Sequence, residues 1–244
     1  SIYQRNTEDR FLGVRIGFLQ IKGLTRRTLK RLLGKRKERH FESLEDFCIR
    51  IRPNFREVES LIRCGSFDTF GYTRPQHIWR LKLFYNKIKN NGEGLFASTV
   101  KYSSAIPIVD YSIEKKLRDE FELMELTLEK HPLWIWKEAI QHHIDQFGKF
   151  IHAKDLYLHI GKKVKLVGWI ISTQKTKTKA GESMQFLSCE DLTATYEAVF
   201  FPVVYRKFGR LIRGRGPYII EGMVEDDFGH TPLKVENIII IKDK

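Results

Sequence analysis

The chain has 244 residues, 42% of them hydrophobic, enough for a core in one large or two smaller domains, which excludes disorder throughout. Its net charge is +13: residues 1–75 carry 17 Lys/Arg against 9 Asp/Glu, residues 76–155 carry 12 against 11, and residues 156–244 carry 14 against 10. Two basic ends around a nearly neutral middle favour a polyanion, because neutralised phosphates release counterions; an incidental basic surface is the bland alternative.

Residues 11–72 have the pattern of short helices with tight turns. Thr25 is placed to cap a helix reaching about Leu33, with Leu29, Leu32 and Leu33 on its buried face. Ser43 caps Leu44–Ile49. Asn54 and Glu57 form a capping box ahead of Val58, Leu61 and Ile62. That helix ends at Gly65, where Phe67 should fill the core and Asp68 should cap. Thr73 and Gln76 open a helix with Ile78, Leu81, Tyr85 and Ile88 at helical spacing. Asn90–Gly94 breaks it, and a loop runs to about Asp110. An amphipathic helix follows, with Ile113, Leu117, Phe121, Met124 and Leu128 on one stripe and His131-Pro132 as its stop. Residues 133–155 suit a short helix and a connector.

From Leu156 the period changes to two. Strands are expected at 163–177, 184–190, 194–201, 217–225 and 232–241. Val203–Ile212 between the third and fourth is expected as a helix with Val204, Phe208, Leu211 and Ile212 inward. Five strands with a helix there are the layout of an OB-fold barrel. The fold class is α+β multidomain: an α-helical module at 1–75, a helical connector at 76–155 and a five-stranded OB-fold β-barrel at 156–244.

Two stretches suit phosphates. In the first, Val14–Thr25, an apolar helix end, Lys22-Gly23 and a capped helix suit a helix-hairpin-helix. There the glycine permits a tight turn and the next helix offers its N–H groups to a phosphate. Eight basic residues lie between Arg26 and Arg39, opposed within that stretch by Glu38 alone. Lys22, Gly23, Thr25, Arg26, Arg27 and Lys30 are the candidate contacts. An ordinary pair of helices with a solvated basic face fits the same pattern. The second stretch is the arm Lys175-Thr176-Lys177-Thr178-Lys179, which alternation gives a lysine face and a threonine face. Trp169, Phe186, Phe200 and Phe201 lie nearby, and Phe186 joins Lys175, Lys177 and Lys179 as a candidate single-strand contact. Each of these aromatics could equally be core. Alternation puts Tyr196, Ala198 and Phe200 on one face, and Val199 and Phe201 on the other.

Chemistry-bearing constellations are not visible. Glu190-Asp191 and Asp226-Asp227 fall at turns, His142-His143 lacks partners at metal spacing, and no Walker-type loop occurs. No catalytic residue, metal site or cofactor is expected. Cys48, Cys64 and Cys189 form no Cys-x-x-Cys pair and suit a core in a reducing cytoplasm. Neither a signal peptide nor an apolar run of about 18 residues is present, so no membrane partner is expected. The chain starts Ser1-Ile2-Tyr3-Gln4, which suits a piece of a longer protein.

Several ordered blocks resemble the bacterial DNA polymerase III alpha subunit, a family C polymerase. Ile16–Gly23, Phe41–Phe47 and Leu61–Asp68 resemble its helix-hairpin-helix region. Glu125–Leu133 resembles the helix that follows, and Lys175–Phe186, Glu190-Asp191 and Tyr196–Pro202 resemble its OB domain. The resemblance implies a non-catalytic C-terminal piece whose palm carboxylates lie upstream. Its partners would be duplex DNA at the hairpin, single-stranded template at the barrel, and other replisome subunits, in a bacterial cytoplasm. The family's sliding-clamp peptide, Gln-x-x-Leu-Phe, falls at Gly92–Phe96, where Leu95 and Phe96 are kept and Gly92 replaces the glutamine. Two rivals remain: an RNA- or tRNA-binding OB accessory protein, and a protein-docking scaffold.

Overall fold

A computed structural model of the chain describes residues 2–3, 13–14, 16–91 and 108–242. The clamp-type segment with Leu95 and Phe96 lies outside them. The chain divides into two compact units, Ser1–Lys130 and His131–Lys244.

The first unit opens with a two-residue antiparallel pair, β1 (Ile2–Tyr3) and β2 (Gly13–Val14). Five helices follow: α1 (Arg26–Glu38), α2 (Leu44–Ile51), α3 (Phe55–Arg63), α4 (Arg74–Asn91) and α5 (Ile113–Met124). Helices this short do not hold themselves in water, so capped ends and a shared core supply the stability. The Thr25 side chain accepts from Thr28 N–H, Ser43 from Asp46 N–H and Ser112 from Lys115 N–H. Asn54 and Glu57 form a reciprocal capping box, and Thr73 and Gln76 exchange the same two bonds. The core gathers Leu32, Phe47, Ile51, Val58, Leu61, Ile62, Phe67 and Leu81.

Four sequence expectations need correction here. Helix α1 continues to Glu38, and Leu33 is 40% exposed, while Thr28 and Leu32 are buried. Leu33 comes five positions after Thr28 and so falls off the i, i+4 stripe. Ile88, near the end of α4, is likewise exposed. Helix α5 stops at Glu125, whose φ of 58° ends it well before His131-Pro132, and Leu128 is exposed beyond it. Asp68 caps nothing: its carboxylate receives the Arg74 guanidinium at 3.0 Å.

The second unit starts with a 3-10 segment, Pro132–Trp136, then α6 (Lys137–Phe147) and a second 3-10 segment, Ala153–His159. Five strands follow: β3 (Lys163–Lys177), β4 (Ser183–Glu190), β5 (Thr195–Phe200), β6 (Tyr218–Val224) and β7 (Leu233–Ile240). They close a barrel in the order β3-β4-β5-β7-β6, antiparallel except between β5 and β7. Helix α7 (Pro202–Phe208) joins β5 to β6. This closed five-strand topology is the OB fold. Every strand end lies within one residue of the alternation-based expectation. Leu166, Leu187, Ala198, Phe200, Ile220 and Leu233 fill the interior, and the free Cys189 is buried among them. No helix among the described residues is long and apolar enough to cross a membrane.

Candidate nucleic-acid interface

The first candidate surface is the start of α1. Gly23 has φ +90°, which lets the chain turn from the Phe18–Gln20 3-10 segment into the helix. The turn is held to the end of α5 by Lys22 N–H to Leu123 O at 2.8 Å and by Gln20 Nε2 to Met124 O at 3.2 Å. A helix start leaves its first N–H groups without helical partners. Thr28 N–H goes to the Thr25 hydroxyl, and Thr25 N–H goes to Glu57 Oε1 at 3.0 Å. The N–H groups of Arg26 and Arg27 gain no partner among the described residues. The first turn itself holds no acidic residue; the Glu57 carboxylate takes the Thr25 N–H, and the N–H groups of Arg26 and Arg27 are what this helix start leaves for an anion.

Glu57 fixes that geometry. It is 2% exposed and also accepts the Thr25 hydroxyl at 2.7 Å and Asn54 N–H at 2.9 Å. Burial pushes its pKa up, but the bonds from Asn54 and Thr25 outweigh that and hold the carboxyl below its ordinary range. Arg26, Arg27 and Lys30 are exposed, and no ion pair engages them among the described residues. Lys22 differs, since its ammonium meets Glu125 at 2.9 Å in an exposed pair worth little. Further along, Lys35 pairs with Glu38, and Arg39 with Glu42 and Asp46. The basic run therefore has no ion pair at its start among the described residues, and Lys35 and Arg39 are paired toward its end.

The second candidate surface is the β3–β4 hairpin. Lys175 lies opposite Gln185 and Lys177 opposite Ser183, both exposed. Strand β3 ends at Lys177, so Lys179 belongs to the turn closed by Thr178 N–H to Glu182 O at 2.8 Å. Directly opposed residues of an antiparallel pair share a face. Gln185 also lies opposite the core residue Phe200. The Lys175–Lys177 face therefore continues the barrel's interior face past its mouth. A β-bulge between Ile170 and Ser172 causes this. Before it, Val164, Leu166 and Ile170 point inward; after it, Thr173, Lys175 and Lys177 take that side, and Ile171 is exposed.

The bulge separates Phe186 from the lysine arm with which the sequence pattern groups it. Phe186 lies opposite Gln174 and Val199, on the outer face and half-buried, away from the side of Lys175 and Lys177. Phe200 is core, and Trp169 is 2% exposed, with its ring 5.5 Å from that of Trp136. Phe201 is 37% exposed, with Lys234 Nζ 5.1 Å from its ring.

The outer face of β4 and β5 borders a cleft of about 500 Å3, walled also by Tyr157 and by His230, Thr231 and Pro232 of the β6–β7 connection. Asp191 closes the β4–β5 turn by accepting from Thr193 N–H, Ala194 N–H and the Thr193 hydroxyl, and it ties in Ala153 N–H at 2.8 Å. Burial raises its pKa, and these bonds more than reverse that, leaving it below the aspartate range. Nothing in the sequence marked this carboxylate as buried. Among the described residues, no group of three or more His, Cys, Asp or Glu could hold a metal ion.

The helix-hairpin-helix motif family matches residues 2–77. The chain is similar to the DNA polymerase III alpha subunit of Halalkalibacterium halodurans, at 29% identity over 87% of this chain and 19% of that protein. It is also similar to the error-prone DNA polymerase of Symbiobacterium thermophilum, at 23% identity over 93% of this chain and 23% of that protein. The chain thus spans about a fifth of the length of these relatives. Among solved structures, a domain of replication protein A from Methanococcus maripaludis aligns with 38% of this chain and 97% of its own, at 14% identity and a TM-score of 0.33. The resemblance to the DNA polymerase III alpha subunit, read from the ordered blocks, is borne out over most of the chain.

Proposed function

We propose that this chain is a DNA-holding, non-catalytic portion of a bacterial replicative-type polymerase alpha subunit. The helix-hairpin-helix grips duplex phosphates without sequence preference, and the barrel holds single-stranded template. The observation that carries the reading is the start of α1: two open N–H groups, at Arg26 and Arg27, beside three exposed cations and no acid in the first turn. The lysine arm on the barrel supports the single-strand half, and the relatives, DNA polymerases by name, support the setting. The sliding clamp and other replisome subunits belong to the same proposal, with Leu95 and Phe96 as the clamp contact.

Fluorescence anisotropy on duplex and single-stranded oligonucleotides, over a salt series, tests it. The triple change Arg26→Ala, Arg27→Ala, Lys30→Ala should weaken duplex binding and reduce its salt slope by about 2 to 3. Charge reversal of Lys175, Lys177 and Lys179 should do the same for single strands, with a slope change of about 2. Unchanged affinities in both arms would reject the proposal. A matched RNA strand that out-competes DNA would favour the RNA-binding rival.

A further inference from the structure

The connection from β5 to β6 concentrates positive charge. Between Ala198 and Ile220 there are five cations, Arg206, Lys207, Arg210, Arg213 and Arg215, and no acidic residue. All five are exposed. Arg206 meets Glu182 at 2.7 Å, and no ion pair engages the other four among the described residues. Away from this connection and the lysine arm, Lys163 meets Glu221 and Glu236, and Lys234 meets Glu225. Like charges this close repel one another, so the cluster works against the folded barrel until an anion neutralises it.

The cations stand on a fixed support. Helix α7 turns Val204, Tyr205 and Phe208 toward the barrel core, which leaves Arg206 and Lys207 outward. The chain after it is pinned: the hydroxyl of the buried Tyr218 reaches Gly214 O at 3.1 Å, and Ile170 N–H donates to Arg215 O at 2.6 Å. Arg213 Nε donates to Arg210 O at 3.0 Å, which holds that guanidinium in place. A basic run kept only for solubility needs no such ties. Position then selects the anion. The Arg206–Glu182 pair joins α7 to the tip of the β3–β4 hairpin. Lys175 and Lys177 lie on the face that continues the barrel interior past its mouth, and α7 packs against that same interior. The lysine arm and α7 therefore border one stretch of surface with cations along both sides. The β6–β7 connection instead exposes Asp226 and Asp227, a poor border for a polyanion. Tyr205 and Phe208 are half-buried against the core, so guanidinium groups face the ligand without an exposed ring, which suits phosphates and not bases.

We infer that the β5–β6 connection is a second backbone-binding wall, which holds phosphates of the same single strand as the lysine arm, whatever its bases. This rests on the single-strand reading of the barrel. With the full chain and a fluorescent oligothymidylate, the triple change Lys207→Gln, Arg210→Gln, Arg215→Gln should weaken binding about tenfold and reduce the salt slope by about 2, at about 0.7 per lost phosphate contact. A strand of abasic sites should lose the same factor, because no base is involved. The three changes relieve repulsion, so the barrel's unfolding midpoint should hold or rise. Glu182→Gln frees Arg206 and should tighten binding about fivefold, a gain that damage to the fold cannot produce.

Wild-type oligonucleotide affinity in the triple variant overturns the inference, as does a loss confined to the strand that carries bases, or Glu182→Gln without a gain. So does loss of binding to a polyglutamate peptide with oligonucleotide affinity intact, which would make the surface a protein contact. If reversing the three lysines of the arm also leaves single-strand affinity unchanged, the barrel reading itself fails. If the lysines matter and the β5–β6 connection does not, only the second wall falls.

Discussion

The helical unit and the barrel unit solve the same problem with different chemistry. Of the eight buried polar or charged side chains among the described residues, six (Thr28, Glu57, Arg74, His77, Asp119 and Glu120) are in the helical unit, and two (Gln185 and Asp191) are in the barrel. A closed barrel pairs its backbone groups strand to strand, so its interior can be apolar. Short helices leave unpaired groups at every end, and side chains must reach in to meet them. Arg74 does so by donating to Arg63 O at 2.9 Å while contacting Glu120 at 2.9 Å and Asp68 at 3.0 Å. Arg63 in turn holds the buried Asp119. The helical unit is therefore expected to be the more sensitive to loss of one charge.

The sharpest way to break that comparison is Arg74→Met. It leaves Glu120, 1% exposed, with its charge uncompensated in the core. Removing one partner of a buried pair costs about 3–5 kcal/mol. Urea unfolding should show a loss of that size, and Arg74→Met with Glu120→Leu should recover much of it. A cost below about 1 kcal/mol for the single change would remove the contrast between the units, because it would mean the ion network is not holding the helices.

Acid should separate the units next. His77 Nε2 lies 3.0 Å from Phe67 O, and its Nδ1 is buried with no partner. Burial lowers its pKa foremost, with the nearby Arg80 charge adding to that against the Phe67 bond. The folded form thus resists a proton that the unfolded chain takes up near an ordinary pKa of about 6.5. Stability tied to His77 is complete above that pH and declines as the pH falls through it. Asp191 is also depressed, so its contribution is complete above about 4 and is lost only below that. Hydrogen exchange followed peptide by peptide should therefore show the helical unit weakening between about pH 7 and 5 while the barrel holds. Asp191→Ala should weaken the barrel by about 2 kcal/mol at neutral pH, since three backbone N–H groups lose their acceptor. Equal acid profiles for the two units would contradict the assignment of His77.

What could be read from the sequence follows the range of the interactions. Caps such as Thr25, Ser43 and the Asn54–Glu57 box were legible because donor and acceptor lie three residues apart. Strand limits were legible because one buried face imposes alternation. The face of the lysine arm was not, because a single inserted residue at Ile171 reverses alternation, and nothing local in an apolar run marks the insertion. The Arg63–Asp119 and Arg74–Glu120 pairs were equally hidden, being 56 and 46 residues apart and made of residue types that normally face water.

The smallest expected effect comes from making one change in both units. Thr25→Val and Thr193→Val each delete a hydroxyl that bonds a buried carboxylate at 2.7 Å. In the helical unit the same hydroxyl also caps α1, and Thr28 N–H loses its acceptor. The loss there should reach about 1–2 kcal/mol. Duplex binding should fall with it, because Arg26 and Arg27 N–H depend on a formed first turn. In the barrel, Asp191 keeps three backbone donors after the change, and Lys154 N–H, exposed and at 3.3 Å, can turn to water. That loss should stay under about 1 kcal/mol. If Thr193→Val costs as much as Thr25→Val, redundancy of backbone donors is not what protects the barrel, and its tolerance must come from the apolar interior alone.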